Sequence, residues 1–600
     1  MNCKVYHLQD KNITSTSLSK IPNCNNFKII TDDPNVKNIL DSLNYNCEDL
    51  TELFPNVDLT TFQIYESATK SIDEYRKSLD EIKFLDISIF NILEPLLRDD
   101  FVLLEKISHI LQKKENVIFL LKNNSHILFL INKLSKQFEY ETENKINTIK
   151  NEKIHQIDSL KKSKSIKSKL FLKFNRKSKK TIFRSIEEKL QNKKNSCTIF
   201  LTPSTKYVLN PIFSVLNEFK KNLKPYSLIS FDHELIKELK KDNLSIIDFS
   251  RDALILSSII KNSTEGKKLF NKILQISKNK NLEIIYYNGI INEKISKIFR
   301  FLAMLEISLE IFKNIETKST VIAFDGNSMG NSITLAAKNQ DVKSYSICSL
   351  YILPHAIMKL DFLVDFILVY GTHAYETLIT LGYPREKIII TGNVMYDYFK
   401  KIDFKKSKKE VTSKLELEQN KPLIVIGCGR WYPKDEIWIS KFIKFCNLKN
   451  FNLIIKVHPI YLTTQNHIHK KIVDEIQKKC SELKYTINIE MNASTLVSAA
   501  DLVITDQTNL GIEAGLLGKP WLTVNFQNEN KDFLFKTSEQ MKHSIYLSNY
   551  SDLEIKSLEI LHEHKYEKLF LINQQEMIEK FNFIKEVNSR QKIFSILNNL

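Results

Sequence analysis

The run SAADLVITDQTNLGIEAGLLGKPWLTVNF, residues 498–526, admits few folds. Four apolar or β-branched residues (502–505) are followed by a polar turn (506–509). A small-residue segment comes next (510–517), then a Gly-Lys-Pro stop and a second apolar run (521–526). An unalternated apolar strand, a helix capped by Asp506 or Thr508 and a break at Gly518 and Pro520 spell a βαβ unit of a parallel sheet. In such units ligands sit at the carboxyl ends of the strands, where the free N–H groups and dipole of the next helix favour phosphate. Asp506, Thr508 and Asn509 fall at that place.

The same alternation extends upstream. CTIFLTPS (197–204), SLISF (227–231), LSIIDF (244–249), 320–324, 343–348, 366–370 and 387–391 read as short strands separated by helical pieces, the pattern of a doubly wound sheet. A charged, glycine-poor stretch (400–419) reads as a linker, and KPLIVIGCGR (421–430) opens a second unit with FNLIIKVHP (451–459) and INIEM (487–491). Before residue 195 the signals change. Residues 1–85 read as a small α/β region and 86–195 as a helical region ending in a polybasic segment. Within it VIFLL (117–121) and ILFLI (127–131) fit short buried strands equally well. The expected domains are therefore 1–85, 86–195, 196–405 and 415–550, followed by C-terminal helices over 551–600 that cross back over both sheets.

Six hundred residues exceed one core. Eight cysteines without a CxxC pair argue for a reducing compartment and against structural zinc. No apolar stretch reaches the roughly 18 residues of a membrane helix, which leads us to expect a cytoplasmic protein, peripheral to the inner face of the cell membrane at most. The net charge of +17 is concentrated: residues 150–194 hold 16 Lys or Arg against four acids. That segment reads either as a solvated face or as a contact with an anionic membrane surface; no recognisable module points to a specific nucleic-acid partner. FDGNSMGNS (324–332) lacks the Lys-Ser or Lys-Thr ending of a P-loop.

Three stretches, TLGYPREKIIITGNVMYD (380–397), LIIKVHP (453–459) and ADLVITDQTNLGIEAGLLGKP (500–520), resemble the C-terminal part of glycosyltransferases of the two-Rossmann, GT-B type. The nearest are surface-polysaccharide enzymes: CDP-glycerol glycerophosphotransferases, capsule sialyl- and Kdo-type transferases and UDP-N-acetylglucosamine 2-epimerases. The resemblance implies an α/β fold of two Rossmann-like domains facing a cleft, here preceded by a largely helical N-terminal region. It also implies a nucleotide-activated sugar donor held by the second domain and a glycan or lipid-linked acceptor. His458 and the residues around Thr508 to Glu513 match nucleotide-binding positions, and Glu513 matches the Glu that accepts the two ribose hydroxyls.

Gly429 and Arg430 form a second phosphate candidate, a glycine turn with a bidentate cation, and Lys456 adds charge beside His458. A general base for the acceptor hydroxyl is expected from the first domain: Asp325 in AFDGN first, then His355 in LPHA and His373 in YGTHAYE, each of which also reads as a plain turn or capping residue. No cofactor and no metal is implied, since GT-B enzymes generally hold donor phosphates with helix termini and basic side chains. Two departures matter. CDP-glycerol enzymes show a His-Gly after the strand matching 343–348, where this chain reads ICSLYILPH. The epimerases' paired-glycine turn is replaced by Gln507, Thr508 and Asn509. The expected function is sugar transfer from a nucleotide donor. Alditol-phosphate transfer from a CDP donor and a non-catalytic membrane-surface scaffold are the alternatives.

Overall fold

The computed structural model describes residues 80–112, 117–121, 179–278, 284–348, 362–457, 467–526, 542–582 and 588–598, with breaks at 192–193, 203–205, 242–243, 324–326, 381, 428–434 and 507. Before residue 80 it describes three strands and a few single positions, and it adds residues 141–143.

Three parallel sheets follow one another along the chain. The first has five strands, β1 (Asn2–His7), β2 (Lys28–Thr31), β3 (Cys47–Asp49), β4 (Val117–Leu121) and β5 (Glu141–Glu143), in the order β3-β2-β4-β1-β5. VIFLL is thus a strand, with Val117 and Phe119 fully buried between β1 and β2. A five-residue apolar run has too few residues for a helix face but suits a strand covered on both sides. The expected helical region holds over α1 (Phe90–Gln112) and α2 (Lys179–Leu190), whereas β4 and β5 lie between them. ILFLI falls outside the described residues.

The second sheet comprises β6 (Lys194–Leu201), β7 (Tyr226–Ser230), β8 (Ile246–Asp248), β9 (Glu316–Ile322), β10 (Lys343–Cys348), β11 (Phe366–Val369) and β12 (Ile388–Ile390), ordered β8-β7-β6-β9-β10-β11-β12. The third holds β13 (Leu423–Gly427), β14 (Asn452–Lys456), β15 (Thr486–Asn488), β16 (Leu502–Thr505), β17 (Trp521–Val524) and β18 (Ile545–Leu547), ordered β15-β14-β13-β16-β17-β18. Counted from its own first strand, each of these two sheets begins 3-2-1-4-5-6, the doubly wound nucleotide-binding order. The order in which strands are added reverses between β6 and β9 in one and between β13 and β16 in the other. Those are the two places where such a sheet opens a crevice for ligand.

Helices cover both faces. In the second sheet α3 (Ile284–Asn314) packs beside α4 (Ser328–Asn339), whose small residues are buried almost throughout and whose first turn is capped by Asn327 accepting from Gly330 N at 2.8 Å. α5 (Thr372–Thr380) follows β11. The charged stretch read as a linker contains α6 (Phe404–Lys414), which buries Val411 in the core of the third sheet and sends Lys408 to Asp501 at 2.6 Å. The third sheet carries α7 (Ala493–Ala499) and α8 (Asn509–Leu516).

The last helices tie the two doubly wound sheets together. α9 (Glu567–Asn582) crosses α8 at Met577, close enough that a Cβ on Gly515 would meet the Met577 side chain at 2.9 Å. It then crosses the turn after β11 at Gly371, where a Cβ would lie 2.1 Å from the Lys580 carbonyl oxygen. Only glycine fits beneath that backbone. α10 (Ser589–Asn598) buries Ile593 and Leu597 against the second sheet. Its first turn is capped by Asp397, which accepts from Ser589 N at 2.9 Å and Arg590 N at 3.2 Å.

Of the polybasic segment, α2 is described and faces inward: Ile182, Ile186 and Leu190 are buried, Lys179 pairs with the buried Glu306, and Lys189 pairs with Asp252 at 2.5 Å. This portion is structural, and the basic residues of 150–178 lie outside the described residues. Among the described residues no helix is long and apolar enough to cross a membrane.

Candidate active site

Strand β16 is buried at every position, and its carboxyl end meets that of β13, with Gly427 opposite Thr505 in the parallel ladder. The chain therefore leaves these two strands at neighbouring points, Gly427 and Thr505, where the order of the sheet reverses. α8 is pressed against the sheet because Gly511 has no side chain, since a Cβ there would meet the Trp521 ring at 2.5 Å. Gly518, at φ +65°, ends the segment.

Thr508 stands at the N-cap of α8, yet its hydroxyl makes no capping bond; it lies 2.7 Å from the Thr505 hydroxyl instead. Asp506 accepts from Thr508 N at 3.0 Å through its carbonyl. Asn509 is exposed, and no acid lies in the first turn of α8. An arriving anion thus meets a positive helix end that no side-chain carboxylate in that turn neutralises.

Glu513 sits on the face of α8 turned toward the seam between the two sheets. Its neighbours Ile512 and Leu516 join the core of the second sheet through Met577 and Phe581, while Leu510 and Ala514 join the third. Burial in that seam pushes the Glu513 carboxyl up to about 7, offset in part by a 2.8 Å hydrogen bond from the Ser494 hydroxyl on α7. Burial also raises the pKa of the Tyr398 phenol, in the turn Asp397–Lys401, and the Glu513 carboxyl adds to the rise. Ser494 and Tyr398 were not among the residues expected from sequence. The run after Asn492 signals a helix start that would place Ser494 in a first turn, but no local pattern joins either residue to Glu513, 19 positions further on.

Lys456 differs from the expectation. As the last residue of β14 it is buried and donates to the Ile489 carbonyl, and burial lowers its pKa. It closes the loop after β15, its ammonium being taken up by that carbonyl.

His373 opens α5 at the carboxyl end of β11. Its Nδ1 is 3.0 Å from the Tyr370 hydroxyl and its ring stacks 5.0 Å from Phe581 of α9. Asp325, His355, Gly429, Arg430 and His458 lie outside the described residues. In sequence, Asp325 follows β9, Gly429 and Arg430 follow β13, and His458 follows β14. The structure therefore brings together Asp506, Thr508, Asn509 and Glu513, while His373 belongs to the other sheet.

A family model described as UDP-N-acetylglucosamine 2-epimerase matches residues 360–537. No curated protein matches the chain. Among solved structures, UDP-GlcNAc 2-epimerase from Neisseria meningitidis bound to UDP-GlcNAc is 16% identical, covering 67% of this chain and 99% of its own, with a TM-score of 0.45. A glycosyltransferase from Rickettsia africae is 14% identical, covering 67% and 98%, with a TM-score of 0.41. Anabaena HepE, solved with UDP and glucose, is 12% identical, covering 68% and 100%, with a TM-score of 0.40. Two successive sheets of doubly wound order, bridged by returning C-terminal helices, give the chain a two-domain, GT-B-like fold, and residues 360–537 are similar to the UDP-N-acetylglucosamine 2-epimerases.

Proposed function

We propose that the chain is a nucleotide-sugar-processing GT-B enzyme that transfers the sugar to a surface-glycan or lipid-linked acceptor. The observation that carries this reading is the convergence at the reversal point of the third sheet. There Gly427 at the end of β13 lies opposite Thr505 at the end of β16, α8 starts with no acid in its first turn, and Glu513 follows on the same helix. The diphosphate would rest on the N–H groups at Thr508 and Asn509 and on Arg430 in its glycine turn, with His458 beside it. Glu513, deprotonated, would accept the ribose 2′ and 3′ hydroxyls.

The sugar would then project toward the second sheet. A base there, Asp325 or His373, would take the acceptor hydroxyl proton as its oxygen bonds to the anomeric carbon, and the bond from that carbon to the phosphate oxygen would break, its electron pair leaving with the nucleoside diphosphate. The basic residues of 150–178 would hold the enzyme near an anionic membrane bearing the acceptor.

A second reading, inversion at C2 of a nucleotide-bound N-acetylhexosamine, is favoured by the family match over residues 360–537. Incubation with UDP-GlcNAc, followed by proton NMR with and without glycan acceptors, separates the two. Transfer predicts release of UDP that depends on an acceptor. A new nucleotide-sugar epimer formed without acceptor would overturn it in favour of the second reading.

A further inference from the structure

An open cleft of about 470 Å³ separates the hairpin formed by residues 83–88 from the start of the helix Thr264–Lys278. A space of that size holds a small ligand. Lys83, Lys268 and Lys272 line it with Glu265, beside the buried Phe84 and Leu269. Three ammonium groups thus share the cleft with one carboxylate. Lys272 donates to the Glu81 carbonyl at 3.0 Å and so ties the helix to the hairpin. Lys83 and Lys268 make no hydrogen bond or ion pair with any described residue, although Glu265 stands one helical turn from Lys268. Like charges gathered in this way repel one another, and an anion entering between them relieves the repulsion.

Both walls are held firmly. The hairpin turns through Leu85 and Asp86, at φ 51° and 62°, the two-residue turn that matches the twist of its strands. Phe84 anchors it in the core of the second sheet. The helix is capped by Ser263, whose hydroxyl accepts from Gly266 N at 2.9 Å. Gly266 lets the helix press on the one before it, since a Cβ there would lie 1.9 Å from the Ile260 carbonyl oxygen. The lysines therefore stand on fixed backbone, which lowers the ordering cost of engaging a ligand.

The cleft also lies in the helical layer that the basic stretch 150–178 leads into. α2 follows that stretch directly and packs on α3, as does the helix Thr264–Lys278. Lys189 of α2 reaches Asp252 of the helix Ser250–Asn262, which fills the space between them in sequence and in contact.

We propose that this cleft binds a phosphate monoester, the chemistry shared by the headgroup of an anionic lipid and a free glycerol or sugar phosphate. An ammonium is a compact point charge that suits phosphate oxygens without imposing the planar, bidentate geometry of Arg. The neighbouring basic stretch favours the lipid as the source. This inference is independent of the nucleotide reading of the third sheet.

The test compares the purified full chain with Lys83→Gln/Lys268→Gln, with Lys83→Arg/Lys268→Arg, and with Lys444→Gln/Lys449→Gln, which removes equal charge from exposed positions beside the third sheet. Lys83 and Lys268 are themselves exposed, so the fold is not at stake. One probe is co-sedimentation with vesicles of equal parts phosphatidylcholine and phosphatidic acid, with phosphatidylcholine alone as the blank. The other is glycerol 3-phosphate, followed by its phosphorus NMR line width. The Gln variant of the cleft should bind at least one probe about ten- to thirtyfold more weakly than wild type, while the Arg variant and the Lys444, Lys449 control stay within about threefold. Loss on the vesicles identifies a lipid headgroup, and loss on glycerol 3-phosphate alone identifies a free ester; either supports the cleft. Equal binding of both probes by wild type and the Gln variant would overturn it. An equal loss in the Lys444, Lys449 control would also overturn it, as would a wild type that binds neither probe.

Discussion

Replacing Glu513 with Gln should make the protein more stable at neutral and alkaline pH while removing its function, a combination that follows from where the carboxyl sits. The seam between α8, α7 and the 397–401 turn raises its pKa from an ordinary 4.5 to about 7. The folded protein therefore holds a proton that the unfolded chain releases. Stability from this group is complete below about pH 4.5, declines as pH rises toward 7, and is lost above it. At 1.36 kcal/mol per pH unit the full difference is roughly 3 kcal/mol, and because the residue is only partly buried, about 2 kcal/mol is the fair expectation. Gln is neutral at every pH and can still accept from Ser494, so it escapes this loss.

The variant should match wild type at pH 5 and melt roughly 4–8 °C above it at pH 8, taking 2–4 °C per kcal/mol for a domain of this size. Its nucleotide affinity should fall, since an amide accepts one ribose hydroxyl where a carboxylate accepts two. The assay is a thermal melt at half-unit pH steps from 5 to 9 for both proteins. A variant less stable than wild type at pH 8, or a gap that does not change with pH, would refute the argument that Glu513 is strained by its burial.

Two further outcomes follow from the returning helices. Gly371→Ala places a methyl group against the Lys580 carbonyl, which no rotamer change can relieve. It should cost about 1–3 kcal/mol and lift Phe581 from His373, visible as a lower melting temperature and earlier proteolysis within 567–582. Asp397→Ala removes the cap of α10 and should cost about 1–2 kcal/mol locally. Hydrogen exchange across 589–598 should then speed up about five- to thirtyfold, while Asp397→Asn, which can still accept, should lose less than half of that free energy.

Much of this was legible in the chain because doubly wound sheets are built from strands buried on both faces. Such strands leave compact apolar runs, and 502–505 and 343–348 appear in the structure with those bounds. The Gly518 stop is legible for the same kind of reason, since a positive φ requires a particular residue. The inner residues of 86–195 were harder: five apolar residues in a row satisfy either period, and pairing with β1 and β2, more than 85 residues upstream, decides for strand.

What the chain hides is contact across sequence distance. Lys456 reads as a cation beside a ligand, but the neighbouring strand's loop takes its ammonium. Ser494 carries no motif, and it gains meaning only when α7 is folded against α8 and its hydroxyl reaches Glu513. The segment between the two sheets read as a linker because it is charged, yet within it α6 docks on the third sheet through Val411 and the Lys408–Asp501 pair.

The most direct test of the central claim is a thermal-shift titration of the full chain against CMP, CDP, UDP, GDP and UDP-sugars, with Glu513→Gln and His458→Ala in parallel. A ligand at a hundredfold over its dissociation constant adds about 2.7 kcal/mol to stability. The account predicts that a nucleotide or nucleotide sugar stabilises the wild type and that both variants lose most of that shift. Absence of any shift across the panel would contradict it and leave the chain as a scaffold that keeps the GT-B fold without its ligand.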